Sequence, residues 1–359
     1  QGVSSAASDV YKRQNLDVTV LRQAVHLLVE RHHALRTVYS FSEGEVRQVV
    51  QPSATVDVEE VEALGMSESA LEAAVRADYA APFDLGSGPV LRFRLYRTAP
   101  DRQVLLIVVH HIACDGWSLW VMLRDLGKIL SGDGASLPSL KRRFADAVHS
   151  EQRMLAGPEG EKLWSYWRSR LTDRPPATEI PTSRRRPQTG SSPGASLPVA
   201  IDGQLVEALR TLSRRLGATL YATVLAAFEV LLNRISGQDE LLIGTPMAGR
   251  GDPAYVDVIG NFVNPVVLRL NLAGNPPFKD VVLRTRQTVL EALEHQALPF
   301  PVLVERLKPA RDPTRSPLFQ IDFAWQRPQE DEGIVAMMVS GDPESRIPWG
   351  GIDLAPYPM

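Results

Sequence analysis

Apolar positions recur at helical and strand spacing in two long runs of the chain, separated by one stretch with no period. In the first run, Leu21, Val25, Leu28 and Val29, followed by His32, keep one helix face apolar. Asp17 stands where an N-cap belongs, so the spacing predicts a helix from there to about His33. Val46 to Val50 reads as a strand, Ser67 to Tyr79 as a second amphipathic helix, and Leu91 to Tyr96 as another strand. Val104 to Val109 is apolar without alternation, the pattern of a sheet centre covered on both faces. Helices are expected over Trp117 to Leu130 and Glu161 to Leu171.

The break runs from Arg174 to Pro198, with six prolines and the triplet Arg184-Arg185-Arg186, and reads as an exposed linker. Beyond it, helices are predicted over Gln204 to Leu216, Thr219 to Arg234 and Phe278 to Glu294, with Val302 to Leu307 after them. Strands are predicted at Leu241 to Gly244, Phe262 to Leu270 and Leu318 to Trp325, with Pro265 forcing the second to an edge or a bulge. Helices alternate with strands in both halves, so the expected fold is α/β, in two lobes of mixed sheets flanked by helices. The expected division is 15–173 for the N-terminal lobe, 174–198 for the linker and 199–359 for an incomplete C-terminal lobe. Gln1 to Gln14 has neither period and is read as a non-native segment; both ends are read as cut.

Composition narrows the class. The 359 residues carry 39 basic and 42 acidic side chains, a formal charge of −3. Such a balance gives no electrostatic reason to expect nucleic acid or an anionic membrane as partner. No apolar run approaches the ~18 residues of a membrane span. The single cysteine, Cys114, excludes an internal disulfide framework and a cysteine-rich metal cluster. A cytoplasmic protein with no metal and no permanently bound cofactor is expected. Six of the basic residues are lysines and the rest arginines, dispersed along the chain.

Seven histidines can be weighed singly. His26, His32, His33, His149 and His295 lie in or beside helices among ordinary neighbours. His110 and His111 differ, because they end a buried strand in HHIACDG, which leads straight into a helix. Adjacent strand residues point to opposite faces, so one ring of the two can face a given cavity. Asp115 follows at the helix start, and Gly116 permits close approach to the backbone. The helix N-terminus beyond offers free N–H groups to a developing oxyanion. One short segment thus holds a base, a carboxylate and an electrophilic surface. Cys114 in the same turn reads as a small hydrophobe. Neither a G-x-S-x-G nucleophile elbow nor a phosphate loop is present.

HHIACDGWS resembles the HHxxxDG signature of non-ribosomal peptide synthetase condensation domains, in the chloramphenicol-acetyltransferase-like superfamily. Further motifs keep the family's order: RHHALRT (31–37), GTPMAGR (244–250), IGNFVN (259–264), HQALPF (295–300) and RDPTRSPLFQ (311–320). The chain departs where Ala297-Leu298 replaces Asp-Tyr, where Pro265 replaces a threonine, and around Arg143 to Val148, a weak match to YxDFAxW.

The resemblance implies two acetyltransferase-like lobes in a V shape and peptide-bond formation between a carrier-bound acyl or peptidyl thioester and a carrier-bound aminoacyl group. The implied partners are donor and acceptor carrier domains, which present the phosphopantetheine arm, and neighbouring adenylation or ketosynthase modules. His111 would deprotonate or position the amine and the Gly116 backbone would contact substrate. Asp115 would pair with Arg36, His110 would orient the loop, and Trp117 and Asn264 would line the substrate channel. A free-standing acyltransferase using a diffusible acceptor or a CoA thioester, and an epimerisation domain, are the alternatives.

Overall fold

The computed structural model describes residues 8–12, 16–42, 44–178, 180–181, 195, 197, 199–310, 312, 315–326 and 347–356. The strands in chain order are β1 (Ser8–Lys12), β2 (Thr37–Ser42), β3 (Glu45–Val50), β4 (Val58–Glu62), β5 (Leu91–Ala99), β6 (Arg102–Val109), β7 (Glu240–Met247), β8 (Asn264–Asn271), β9 (Ile321–Asp322), β10 (Ile347–Trp349) and β11 (Ile352–Pro356). The helices are α1 (Val18–Arg31), α2 (Glu68–Ala80), α3 (Gly116–Leu130), α4 (Phe144–Leu155), α5 (Pro158–Leu171), α6 (Gly203–Arg215), α7 (Leu220–Ser236), α8 (Phe278–Glu294) and α9 (Phe300–Leu307). None of these helices alone is long and apolar enough to cross a membrane.

Two compact units result: Gln1–Val148 with Arg250–Phe262 and Arg327–Met359, and His149–Gly249 with Val263–Gln326. This division differs from a boundary at the Pro-rich stretch. Leu163, Trp167 and Leu171 of α5 belong to the core of the second unit, and residues 250–262 return to the first. Proline density marks where regular structure stops, whereas the units are set by which apolar faces pack together. The arginine triplet lies outside the described residues.

In the first unit a six-stranded mixed sheet runs β10-β11-β1-β6-β5-β4, with β4 parallel to β5 and the other pairs antiparallel. The alternation of side chains along β6 supplies two cores. Leu105, Ile107 and Val109 join α1 and α3 in one, while Val104, Leu106 and Val108 join Leu71 and Val75 of α2 in the other. The unbroken apolar run of β6 therefore has the expected cause. Ser8–Lys12, placed outside the fold by its lack of period, pairs with both β6 and β11. Main-chain pairing needs no side-chain alternation, which is why periodicity passed over it. The β10–β11 hairpin seats Trp349 against α3, where its Nε1 donates to Leu123 O at 2.8 Å. A Cβ at Gly127 would lie 2.6 Å from that indole nitrogen, so the close approach requires glycine.

The second unit carries the sheet β8-β7-β9. Pro265 sits opposite Pro246 in the antiparallel β7–β8 pair, and β8 is the edge strand that its proline demands. The predicted strand Leu318 to Trp325 reduces to Ile321–Asp322, parallel to β7. Beyond it Phe323 still follows β7, donating from its N–H to Gly244 O at 2.8 Å and accepting from Thr245 Oγ1 at 2.8 Å. The Phe319 ring fills the space over Gly244, where a Cβ would lie 2.2 Å away.

Between α7 and α8, Glu229 is buried with Oε2 2.9 Å from Thr285 Oγ1, which lies 2.8 Å from Val281 O. Burial pushes the Glu229 carboxyl up to about 7, against the pull of Thr285 and Arg284. A protonated Glu229 donates to Thr285 while Thr285 donates to Val281, so the neutral acid satisfies the site. The unfolded chain releases this proton near the ordinary 4.5. Stability therefore falls as pH rises from about 4.5 to about 7 and levels off above, by a total on the order of 3 kcal/mol. Urea unfolding at intervals across this window is expected to show that slope in the native chain and a flatter profile in Glu229→Gln; equal slopes would refute the assignment.

Candidate functional site

The residues singled out around HHIACDG lie at the junction of β6 and α3 in the first unit. His110 is fixed on three sides. Its N–H donates to Val90 O at 2.9 Å, its Nδ1 accepts from Ile112 N at 3.1 Å, and Phe83 meets its ring edge-on at 5.9 Å. Burial, and then the neighbouring His111, push the His110 ring below the usual imidazole range, so it is held neutral. The His111 ring makes no hydrogen bond among the described residues. The two rings thus differ, one spent on shaping the turn and one left available. Tyr39 Oη reaches Ile112 O at 3.4 Å from β2 and braces the same turn.

Asp115 is buried and caps α3, its Oδ1 accepting from Ser118 N at 2.8 Å. Its ion-pair partner is Arg250, not Arg36. Nη1 of Arg250 donates to Oδ2 at 2.8 Å and Nη2 to Oδ1 at 3.1 Å, a two-pronged pair with both side chains 3% exposed. Phe262 N adds a fourth donor at 2.9 Å, to Oδ2. Arg36 turns away, its Nη1 donating to the carbonyls of Gln51 and Pro52 beyond β3. The physical reason is reach and direction: Arg36 ends a short 3-10 turn at His33–Arg36 and faces the end of the hairpin.

Around this pair the segment 250–262 is bolted to α3. Ser118 Oγ donates to Gly260 O at 2.7 Å and accepts from Gly260 N at 3.0 Å and Arg250 Nη2 at 2.7 Å. Trp117 Nε1 donates to Val256 O at 2.8 Å. The guanidinium of Arg250 lies 4.2 Å from the Phe262 ring centroid and 5.6 Å from that of Trp117. A Cβ at Gly260 would lie 2.2 Å from the Phe144 ring, which explains glycine in IGNFVN. Gly116, by contrast, is exposed with nothing within 4 Å of its would-be Cβ, leaving room over the helix start. With Ser118 N taken by Asp115, the N–H groups of Gly116 and Trp117 remain at that end.

A matching set of charges lies further along α3. Asp125, fully buried, accepts from His32 Nε2 at 2.9 Å, Arg31 Nε at 2.9 Å and Arg124 Nη2 at 2.7 Å, and Arg124 Nη1 reaches Asp257 at 2.7 Å. Burial raises the Asp125 carboxyl, but His32 and Arg124 outweigh it and hold it at about 2. His32 of RHHALRT is thereby linked, through Asp125 and Arg124, to the segment that grips Asp115.

With this geometry in view, comparison with known proteins is decisive: the sequence model of the condensation-domain family matches residues 6–341. The chain belongs to the condensation-domain family. It is 36% identical over 318 residues to malpinin synthetase of Mortierella alpina, covering 87% of this chain and 4% of that protein. It is 38% identical over 314 residues to phosphinothricin tripeptide synthetase PhsC of Streptomyces viridochromogenes, covering 85% and 29% respectively. The solved structure of holo-AB3403, a four domain nonribosomal peptide synthetase bound to AMP and glycine, superposes with a TM-score of 0.90 at 22% identity, over 99% of this chain and 27% of that one. The chain therefore spans a small part of the relatives it matches.

Within this condensation domain the remaining expectations sort as follows. The Asn264 side chain, expected in a channel, clamps the HQALPF turn of the second unit. Its Nδ2 donates to Gln296 O and Leu298 O, and its Oδ1 accepts from Phe300 N, all within 2.8 Å. Trp117 serves the bolted segment through its indole N–H. Burial, then the charge of Asp115, push the Cys114 thiol far up, which suits a packing residue. Arg250, Ser118, Gly260 and Phe262 were given no role by the sequence reading. The one available signal was that a buried aspartate requires a cation, and Arg250 ends GTPMAGR.

Removing one member of a buried pair strands the other, at a cost of about 3–5 kcal/mol. Arg250→Met is expected to lower the unfolding free energy by that order, and Arg36→Met by less, in urea titrations at one pH. A larger loss at Arg36 would reverse the assignment.

Proposed function

We propose that this condensation domain forms an amide bond between a carrier-bound acyl or peptidyl thioester and a carrier-bound aminoacyl group in non-ribosomal peptide or hybrid polyketide–peptide synthesis. The observation that carries this reading is the split between the two histidines: His110 is tied into the turn, while His111 makes no hydrogen bond among the described residues. The family relationship and the presence of both histidines and Asp115-Gly116 support it.

In the proposed reaction the acceptor amine attacks the thioester carbonyl, the C–N bond forms and the C–S bond breaks. The amine must shed a proton, and the departing sulfur takes one up as the donor thiol. A neutral His111 imidazole accepts the amine proton, and return of that proton to the leaving sulfur closes the balance. General-base action of this kind contributes ~10²–10⁴-fold. A thioester is already a reactive acyl donor, so holding the amine against it supplies the remainder. The free N–H groups of Gly116 and Trp117 are suited to the oxyanion that forms in between. Asp115 and Arg250 act as supports that fix the helix start rather than as reacting groups.

The substrates reach the site on phosphopantetheine arms of donor and acceptor carrier domains, with adenylation or ketosynthase modules as neighbours. Carrier proteins loaded with an acyl thioester and an aminoacyl thioester, mixed with the chain and followed by intact-protein mass spectrometry, test the reading. The expected result is transfer of the acyl group onto the acceptor carrier. Its absence with every loaded pair would overturn the proposal. His111→Ala is expected to slow transfer by about 10²-fold or more while its urea unfolding curve stays native-like. Undiminished transfer would remove His111 from the chemistry.

A further inference from the structure

Three arginines point along β5 from alternate positions, and one of them differs from the rest. Arg94 pairs with Glu59 and Asp78, and Arg97 pairs with Glu60. Arg92 makes no ion pair among the described residues. Its guanidinium instead gathers three carbonyls at the end of α2: Nη1 donates to Asp78 O at 2.8 Å and Ala81 O at 3.2 Å, and Nη2 to Pro82 O at 3.1 Å. The last carbonyls of a helix have no partner within it, and a cation suits that end. The same guanidinium lies 4.5 Å from the centroid of the Phe83 ring, the ring that meets His110 edge-on.

We propose that Arg92 is a positioning residue for the amide synthesis: through Phe83 it holds the His110 ring on the Ile112 N–H and so sets the turn that presents His111. This role rests on the reading that His111 handles the acceptor amine.

The surroundings of Arg92 disfavour its charge. Burial, and then the neighbouring Arg94, push it below the ordinary arginine range. What the side chain supplies there is geometry, a flat fork that serves three carbonyls while lying against a ring, which a lysine does not reproduce. The connection to His111 runs through short steps. His110 N donates to Val90 O, two residues before Arg92, and Ile112 N donates to His110 Nδ1 at 3.1 Å. His111 therefore sits between two main-chain groups that His110 holds. The second bond needs Nδ1 bare and the hydrogen on Nε2, so a ring that turns or changes tautomer releases the N–H beside His111.

The carrier transfer assay, with kcat and KM read separately, and ¹⁵N NMR of the histidine side chains test this in the whole chain. Arg92→Met and Arg92→Lys are each expected to lower kcat about ten-fold or more while KM for the loaded carriers stays native. Native His110 should show one tautomer, with hydrogen on Nε2, and Arg92→Met a mixture. Phe83→Leu should reproduce both changes, and Phe83→Tyr, which keeps the ring, should stay native in both. Arg94→Met removes the next arginine on the same face of the strand and should leave kcat and tautomer native. A lowered melting temperature at Arg92 with native kcat marks a purely structural residue and overturns the proposal, as do native His110 signals in a slow Arg92→Met. The two failures separate. Transfer that His111→Ala leaves undiminished removes His111 and this role together, whereas slow His111→Ala beside full-rate Arg92→Met removes this role alone.

Discussion

The buried pair of Asp115 and Arg250 is the constraint on which the site depends. Taking two charges from water costs several kcal/mol each, a cost offset by their mutual pairing and by the further hydrogen bonds each makes. Here the carboxylate accepts from two guanidinium nitrogens, Ser118 N and Phe262 N, while Arg250 also donates to Ser118 Oγ and Val258 O. Those partners come from α3 and from residues 250–262, two segments more than a hundred positions apart in sequence. The pair therefore cannot form unless the returning segment is in register on the helix. Once it forms, the start of α3 and the turn that carries His111 are fixed.

A second charged cluster repeats the logic further down the helix. Asp125 gathers His32, Arg31 and Arg124, and Arg124 extends to Asp257 of the same returning segment. Asp115 grips both ends of the segment, at Arg250 and at Phe262, and Asp257 adds an anchor between them, which opposes sliding and pivoting. Aromatic contacts complete the restraint: Phe144 meets Phe262 edge-on at 5.0 Å, and the bare backbone of Gly260 admits the Phe144 ring. Glycine at 260 is thus a packing requirement rather than a turn requirement.

Much of the local structure was legible in the sequence because local physics sets it. Asp17, Ser67, Asp115 and Thr219 cap the helices they precede, and the unbroken apolar run of β6 is buried on both faces. Pro265 forecast an edge strand and β8 is one. The failures share a different cause. Arg36 and Arg250 each end a motif, and nothing within either motif says which will meet Asp115; only the tertiary path of the chain decides. The amide of Asn264 likewise reads as available until the HQALPF turn folds over it. The strand Ser8–Lys12 had no alternating pattern to reveal it, since its main chain supplies the pairing.

The distribution of charge bears on how such a site can work. Every ion in the buried clusters is matched, so the strong fields near α3 are cancelled within the scaffold rather than aimed at the reacting groups. Burial, and then the neighbouring His111, lower the His110 ring beside the proposed base. Among the described residues the His111 ring makes no hydrogen bond, and the helix that follows holds the turn that carries it. For the proposed thioester donor, itself a reactive acyl group, such a ring needs to be correctly placed and able to accept a proton.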